Sequence, residues 1–155
     1  SADAVRYILL ARNANSKIDF DLDLAVKQTN DNPVYYIQYA HVRCAGIMRE
    51  AEARGFDDDG ADLALLGDEE LAFLRKMLEL GEQIERAATE LTPHTIAFYA
   101  LDLANTFHPM YDKVRVFGDT VPDDLAKARL RFYKAAAITL KRVLRLMGMT
   151  APERM

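Results

Sequence analysis

The chain has 155 residues, half of them apolar, and its 20 basic and 24 acidic side chains leave a net charge of −4. That length suits one domain with a real core, and the acidic balance argues against indiscriminate attraction to phosphates, DNA included. No apolar run reaches transmembrane length, and the N-terminus lacks the basic flank and apolar core of a signal peptide, so a cytoplasmic protein with no membrane partner is expected.

Taken in chain order, the elements read as helices. Ala4, Val5, Tyr7, Ile8 and Leu9 form a first helical run that Asp3 can cap, and the turn-forming residues 13–16 end it. A second helix is expected over 21–28. Asp19, Asp21 and Asp23 before it imitate the start of a calcium loop, but Leu24 stands where the sharp turn wants glycine and Asn30 where the final glutamate belongs. The segment 30–33 should be a tight loop, because Pro33 lacks a backbone donor and holds Asn32 extended.

A third helix should fill 34–54 and stop at Gly55. Cys44 lies among Ala40, Val42, Ala45 and Ile47 and reads as a small buried apolar group, and one cysteine makes no disulfide. Asp68, Glu69 and Glu70 suit the positive end of a fourth helix, which Gly81 could kink or divide. Thr92 followed by Pro93 has the form of an N-cap and first-turn proline, opening a fifth helix toward Phe117 that Pro109 should bend. The last helix should span 123–147, with Leu125, Ala128, Phe132, Ala136, Val143 and Met147 at core spacing and Gly148 as its stop. The expected fold is an all-α helical bundle, a single domain over 1–155.

Charge is unevenly spread. Residues 57–90 carry eleven acidic groups against Arg75, Lys76 and Arg86, whereas 125–148 carry seven basic groups and no acidic one. Such polarity marks either a binding face, with Arg131, Lys134 and Arg142 as candidate phosphate contacts, or a solvated helix.

No catalytic constellation is present. His41, His94 and His108 are too scattered for a metal-site pattern, and there is no glycine-rich phosphate loop and no nucleophile beside a base. The most informative segment is NPVYYIQYAHVR, residues 32–43. It sets Tyr35, Tyr36 and Tyr39 on the first turns of a helix after a proline break, with Tyr36 and Tyr39 on one face. Rings displayed there suit the stacking of splayed RNA bases. The same spacing also suits rings that fill an interhelical core with their hydroxyls at the rim.

That segment resembles the signature of the anticodon-binding domain of arginyl-tRNA synthetases. The opening DAVRYILL, residues 3–10, is similar to the motif that gives the domain its name, DALR, and DFDLDLA, residues 19–25, also resembles the family. FHPMYDKVRVFG at 107–118, ARLRFYKAAAITLKRVLRLMGM at 128–149 and the terminal TAPERM agree in order, so the resemblance covers nearly the whole chain. Departures are local: Val5 stands where the motif has leucine, Pro109 interrupts a usually unbroken helix, and the acidic stretch 57–62 has no counterpart.

The resemblance implies a helical domain that grips the anticodon stem and loop of tRNA(Arg). Full-length members ligate arginine to that tRNA with ATP and magnesium held by a catalytic domain whose HIGH-like and KMSK-like signatures do not occur here. The chain is therefore expected to be a fragment without cofactor or catalytic activity of its own, and a monomer. Asn32, Pro33, Tyr36 and Tyr39 would form one wall of the anticodon pocket, and Tyr111 and Met155 the other. Arg115 holds a position where an aromatic stands in relatives and where a guanidinium plane could also stack on a base. The competing expectation is a stand-alone helical protein-interaction module.

Overall fold

The computed structural model describes residues 1–12, 27, 29 and 31–155. The expected turn at 13–16, the block at 19–25 and, apart from Lys27, the expected helix over 21–28 lie outside the described residues. Within them the regular elements are all helical: α1 (Ala2–Leu10), α2 (Pro33–Ala53), a 3-10 turn (Leu63–Leu65), α3 (Asp68–Leu78), α4 (Leu80–Thr89), α5 (His94–Lys113) and α6 (Asp123–Leu146). The fold is an all-α bundle in which α2 packs chiefly on α6 and α5, while α3 and α4 lie against α5 and α1 reaches both α2 and α5.

Helix α2 starts where the proline break requires it. Asn32 is its N-cap, the Asn32 side-chain oxygen accepts from Val34 N at 3.0 Å, and its amide donates to Lys27 O at 2.8 Å. Pro33 fills the first turn, where a missing N–H costs nothing. At the far end Gly55 adopts φ +61°, and Phe56 N reaches back to Ala51 O at 2.9 Å, closing the helix with the left-handed residue that glycine allows without strain.

The inward faces of α2, α5 and α6 make the core. Ile37, Ala40 and Cys44 meet Leu103, Phe107 and Met110, with Tyr133, Ala136 and Leu140 between them, all fully or almost fully buried. Small residues on α2 let the neighbouring helices approach closely. Phe73 enters from α3 and meets Phe107 and Phe132 edge-on at 5.4 and 6.0 Å between ring centres, the arrangement aromatic quadrupoles favour. Burial raises the Cys44 thiol far above the usual thiol range, so it is an apolar filler and not a nucleophile.

Four local expectations are corrected. Asp3 does not cap α1: Ser1 does, its hydroxyl accepting from Ala4 N at 3.3 Å, while the Asp3 carboxylate turns inward and is 7% exposed. Thr92 does not cap α5 through its side chain; its carbonyl accepts from Thr95 N and Oγ1, and its own hydroxyl is buried without a partner. The boundary between α3 and α4 falls at Glu79, two residues before Gly81. Helix α5 runs on through Pro109 and ends at Lys113, short of Phe117.

The basic last helix and the acidic loop meet. Asp58 pairs with Lys134 Nζ at 2.6 Å and with Arg131 Nε at 3.0 Å, its carbonyl accepts from Arg131 Nη2 at 2.8 Å, and Lys127 donates to Asp59 O at 3.0 Å. The Lys134 hydrogen bond, opposed by burial and reinforced by Arg131, holds the Asp58 carboxyl below its usual range. Residues 57–62 are thus the strap that fastens the loop after α2 onto α6.

Candidate nucleic-acid interface

Helix α2 exposes one strip of its surface. Tyr35, Tyr39, Val42 and Gly46 lie along it, all half-buried. At about 100° of rotation per residue, Tyr36 and Arg43 border this strip on one side and Gln38, His41 and Arg49 on the other. Different elements arrive at the two borders.

On the first border stands α5. The His108 ring packs between Tyr36 and Tyr39, at 4.2 and 5.8 Å between ring centres. Its Nε2 lies 3.0 Å from Tyr36 O and its Nδ1 3.2 Å from Arg43 Nη1. A carbonyl can only accept and a guanidinium can only donate, so His108 is the neutral tautomer with its proton on Nε2. Burial lowers its pKa, the bond to the Tyr36 carbonyl opposes that shift, and the Arg43 charge adds to it. Arg43 stacks over Tyr39 at 4.9 Å and over Tyr111 at 4.5 Å while also donating to Asp112 at 3.0 Å. One guanidinium plane therefore joins the tyrosines of α2 to the tyrosine of α5.

The rings differ in how far they enter the core. Tyr36 and Tyr111 lean on it from the rim, and burial raises both hydroxyl pKa values. Tyr39 stacks instead on Tyr35, at 6.0 Å, and on His108. Arg115 lies beyond Tyr111 with its side chain exposed beside Ile47 and Glu50, and its carbonyl accepts from Arg129 at 2.7 Å.

On the second border runs the C-terminal tail. Gly148, with φ +69°, ends α6: Gly148 N bonds Arg145 O and Met149 N bonds Leu144 O, both at 2.9 Å, the double closure a left-handed residue makes. The chain then lies along α2. Gln38 Nε2 donates to Thr150 O at 3.0 Å, His41 Nδ1 to Pro152 O at 2.7 Å, and Arg49 Nη1 to Glu153 O at 2.7 Å. Met155, 55% exposed, follows this clamped segment. Tyr111, expected on the wall opposite Tyr36 and Tyr39, is instead joined to their side through His108 and Arg43, and the tail that carries Met155 is held on the opposite border of the same strip.

Helix α6 presents a separate face. Arg131, Lys134, Ile138, the adjacent Lys141 and Arg142, and Arg145 follow one another at helical spacing along one stripe. Asp58 engages the first two, so Arg131 and Lys134 share one counter-charge, whereas Lys141, Arg142 and Arg145 with the exposed Ile138 and Leu146 line an open groove.

Sequence reasoning missed Asp3, Gln38, His41, Arg43, Arg49 and His108. The spacing of Gln38, His41 and Arg49 on one flank of α2 was a readable signal, but the carbonyls they hold lie more than a hundred residues away and carry no pattern. Among the described residues no group of three His, Cys, Asp or Glu could hold a metal ion, and no helix is long and apolar enough to cross a membrane.

Comparison with known proteins fits this geometry. The family model described as the DALR anticodon binding domain matches residues 37–155. An Arginine-tRNA ligase of Dehalococcoides mccartyi is 48% identical over 155 residues, covering 99% of this chain and 28% of its own length. One of Desulforudis audaxviator is 45% identical over 158 residues with the same coverage, so the chain spans little over a quarter of these relatives. The solved Thermus thermophilus arginyl-tRNA synthetase superposes with a TM-score of 0.84 at 31% identity, over 99% of this chain and 26% of that one. With a helical bundle, an aromatic strip on α2 and a family match over most of its length, the chain belongs to the DALR anticodon-binding domain family of arginyl-tRNA synthetases.

Proposed function

We propose that this chain recognises the anticodon stem and loop of tRNA(Arg), as the helical portion of a longer cytoplasmic arginine-tRNA ligase. One observation carries the reading: the outward strip of α2 is bordered by Tyr36, Arg43 and Tyr111 on one side and by the clamped tail on the other. Two such borders suit the seating of an unstacked base between them. The exposed faces of Tyr39 and Tyr35 offer stacking surface, and the neighbouring phenol and amide groups can read base edges. Asn32 and Pro33 shape the loop at the head of the strip, Arg115 extends the Tyr111 border, and Met155 closes the other.

Phosphate contacts fall to the open half of the α6 stripe, Lys141, Arg142 and Arg145, and Arg131 and Lys134 join them only where Asp58 yields. The described residues supply binding and register but no group arranged to activate an amino acid. ATP, magnesium and the ligation step belong in this reading to the remainder of the longer protein, which acts as a monomer on tRNA and does not engage DNA.

The test is titration of the chain with the labelled anticodon stem-loop of tRNA(Arg) and with the same stem-loop carrying a substituted anticodon. Tyr39→Ala should weaken the first by about fivefold to a hundredfold and the second far less, with the melting temperature nearly unchanged. Equal affinity of the unmodified protein for both RNAs would refute anticodon recognition.

A further inference from the structure

We propose that Asp3 is a positioning residue that acts through Thr150 to hold the C-terminal tail against α2 and so sets the second border of the anticodon strip. The proposal rests on the anticodon reading above for its functional half alone.

Asp3 sits in the first turn of α1, where an exposed acidic side chain would ordinarily face water and favour the helix dipole. Instead it is buried, and its Oδ2 accepts three hydrogen bonds: from Thr150 Oγ1 at 2.6 Å, from Gln38 Nε2 at 2.9 Å and from Thr150 N at 3.1 Å. Its Oδ1 takes a weaker one from Arg6 Nη1 at 3.4 Å. Gln38 in turn donates to Thr150 O and Oγ1, so three segments close on one residue of the tail. A carboxylate is needed there. Only an ionised, acceptor-only group can take all of these donors, and bonds of this kind are roughly twice as strong as neutral ones.

The location makes this more than a staple. Thr150 is the first residue after the turn made by Gly148 and Met149, so its orientation aims everything that follows. His41 and Arg49 then catch the carbonyls of Pro152 and Glu153. None of these bonds belongs to regular structure. A tail without them would be a frayed end. Arg6 also packs within 3.6 Å of the place a Cβ would occupy on Gly148, so α1 touches the tail at its hinge as well as at its lock.

The experiment compares the unmodified chain with Asp3→Asn and with the milder Thr150→Val. The first readout is exchange of the His41 Nδ1 proton, followed by NMR. That proton is bonded to Pro152 O, so it reports tail docking from a site that neither substitution touches. Each variant should accelerate its exchange tenfold or more, the effect of losing charge-assisted hydrogen bonds. The second readout is the affinity ratio for the stem-loop of tRNA(Arg) over its anticodon-substituted counterpart, which should fall at least fivefold while binding of the substituted RNA stays unchanged. Combining the two substitutions should cost little more than either one, because both break the same lock.

Unchanged His41 exchange in both variants overturns the lock. Faster exchange with an intact affinity ratio overturns the positioning role, and loss of the whole fold in both variants makes Asp3 a folding residue and overturns it too. If the unmodified chain shows no preference for its anticodon while exchange responds as expected, the anticodon reading fails and the lock stands.

Discussion

Replacing Asp58 by Asn should make the domain a less selective and more salt-sensitive RNA binder. Asp58 is the single carboxylate shared by Arg131 and Lys134, and its side chain is 13% exposed. Asn keeps the shape but removes the charge, which leaves two cations on the same stripe as Lys141, Arg142 and Arg145. Each cation newly available to a phosphate steepens the dependence of log affinity on log salt by about 0.7 to 0.9. Two of them add about 1.4 to 1.8. Over a fourfold rise in salt, from about 50 to about 200 mM, the variant should lose about seven- to twelvefold more affinity than the unmodified protein. At the lower salt it should bind cognate and unrelated stem-loops more tightly, and by the same factor. Arg131 and Lys134 are each nearly half exposed, so the loosened strap should cost only about 1 kcal/mol of stability. Fluorescence anisotropy with two labelled RNAs at the two salt concentrations measures all of this. Superimposable salt slopes would show that Arg131 and Lys134 lie away from the RNA and would remove that half of the α6 stripe from the phosphate path.

Three further outcomes are expected. His108 is held neutral with its pKa below the usual 6.5, so it contributes stability above that pH that is lost as pH falls toward its depressed folded value; the urea midpoint should drop from pH 7 to 5, and His108→Gln should abolish that part of the drop. An equal fall in the variant would assign the loss to other groups. Leu91 is 85% exposed at φ +54°, in the left-handed position after α4, so Leu91→Gly should stabilise by about 1 kcal/mol and raise the melting temperature by about 2 to 4 °C, and an unchanged or lower value would count against the strain. Glu70 is 2% exposed and accepts from Arg129 Nε at 2.8 Å, so Glu70→Ala should leave that guanidinium with only the Arg115 carbonyl as partner and cost about 1.5 to 3 kcal/mol in urea unfolding, a reading that a loss below about 1 kcal/mol contradicts.

The helices were legible because their signals are local. Asn32 and Pro33 announce α2, the triplet beginning at Asp68 opens α3, and the spacing through Phe132, Ala136 and Val143 gives the buried face of α6. Expectations failed where a side chain had two competing uses. Asp3 and Thr92 are both good caps by type, but one is drawn into a buried contact with Thr150 and the other turns away from the helix it precedes. Of the site, the shared face of Tyr36 and Tyr39 follows from helical period alone. Its joining to Tyr111 does not, because it depends on Arg43 and His108, which reach across from helices 65 residues apart. The acidic stretch and the basic helix were visible as opposite charge runs, yet sequence could not say that Asp58 brings them together.

Cys44 carries a practical consequence. The only thiol of this chain is fully enclosed by the helices around it and held well above the pH at which maleimides react, so it is silent to labelling reagents in the folded state. A reporter cysteine can therefore be introduced without first deleting the native one. Placed at exposed Glu153 and paired with a dye on RNA, it would give a distance that changes when the tail leaves α2. The same enclosed thiol serves as an internal clock: it becomes reactive only when the core opens, so slow labelling of Cys44 beside fast labelling of the reporter would separate tail release from global unfolding in one sample.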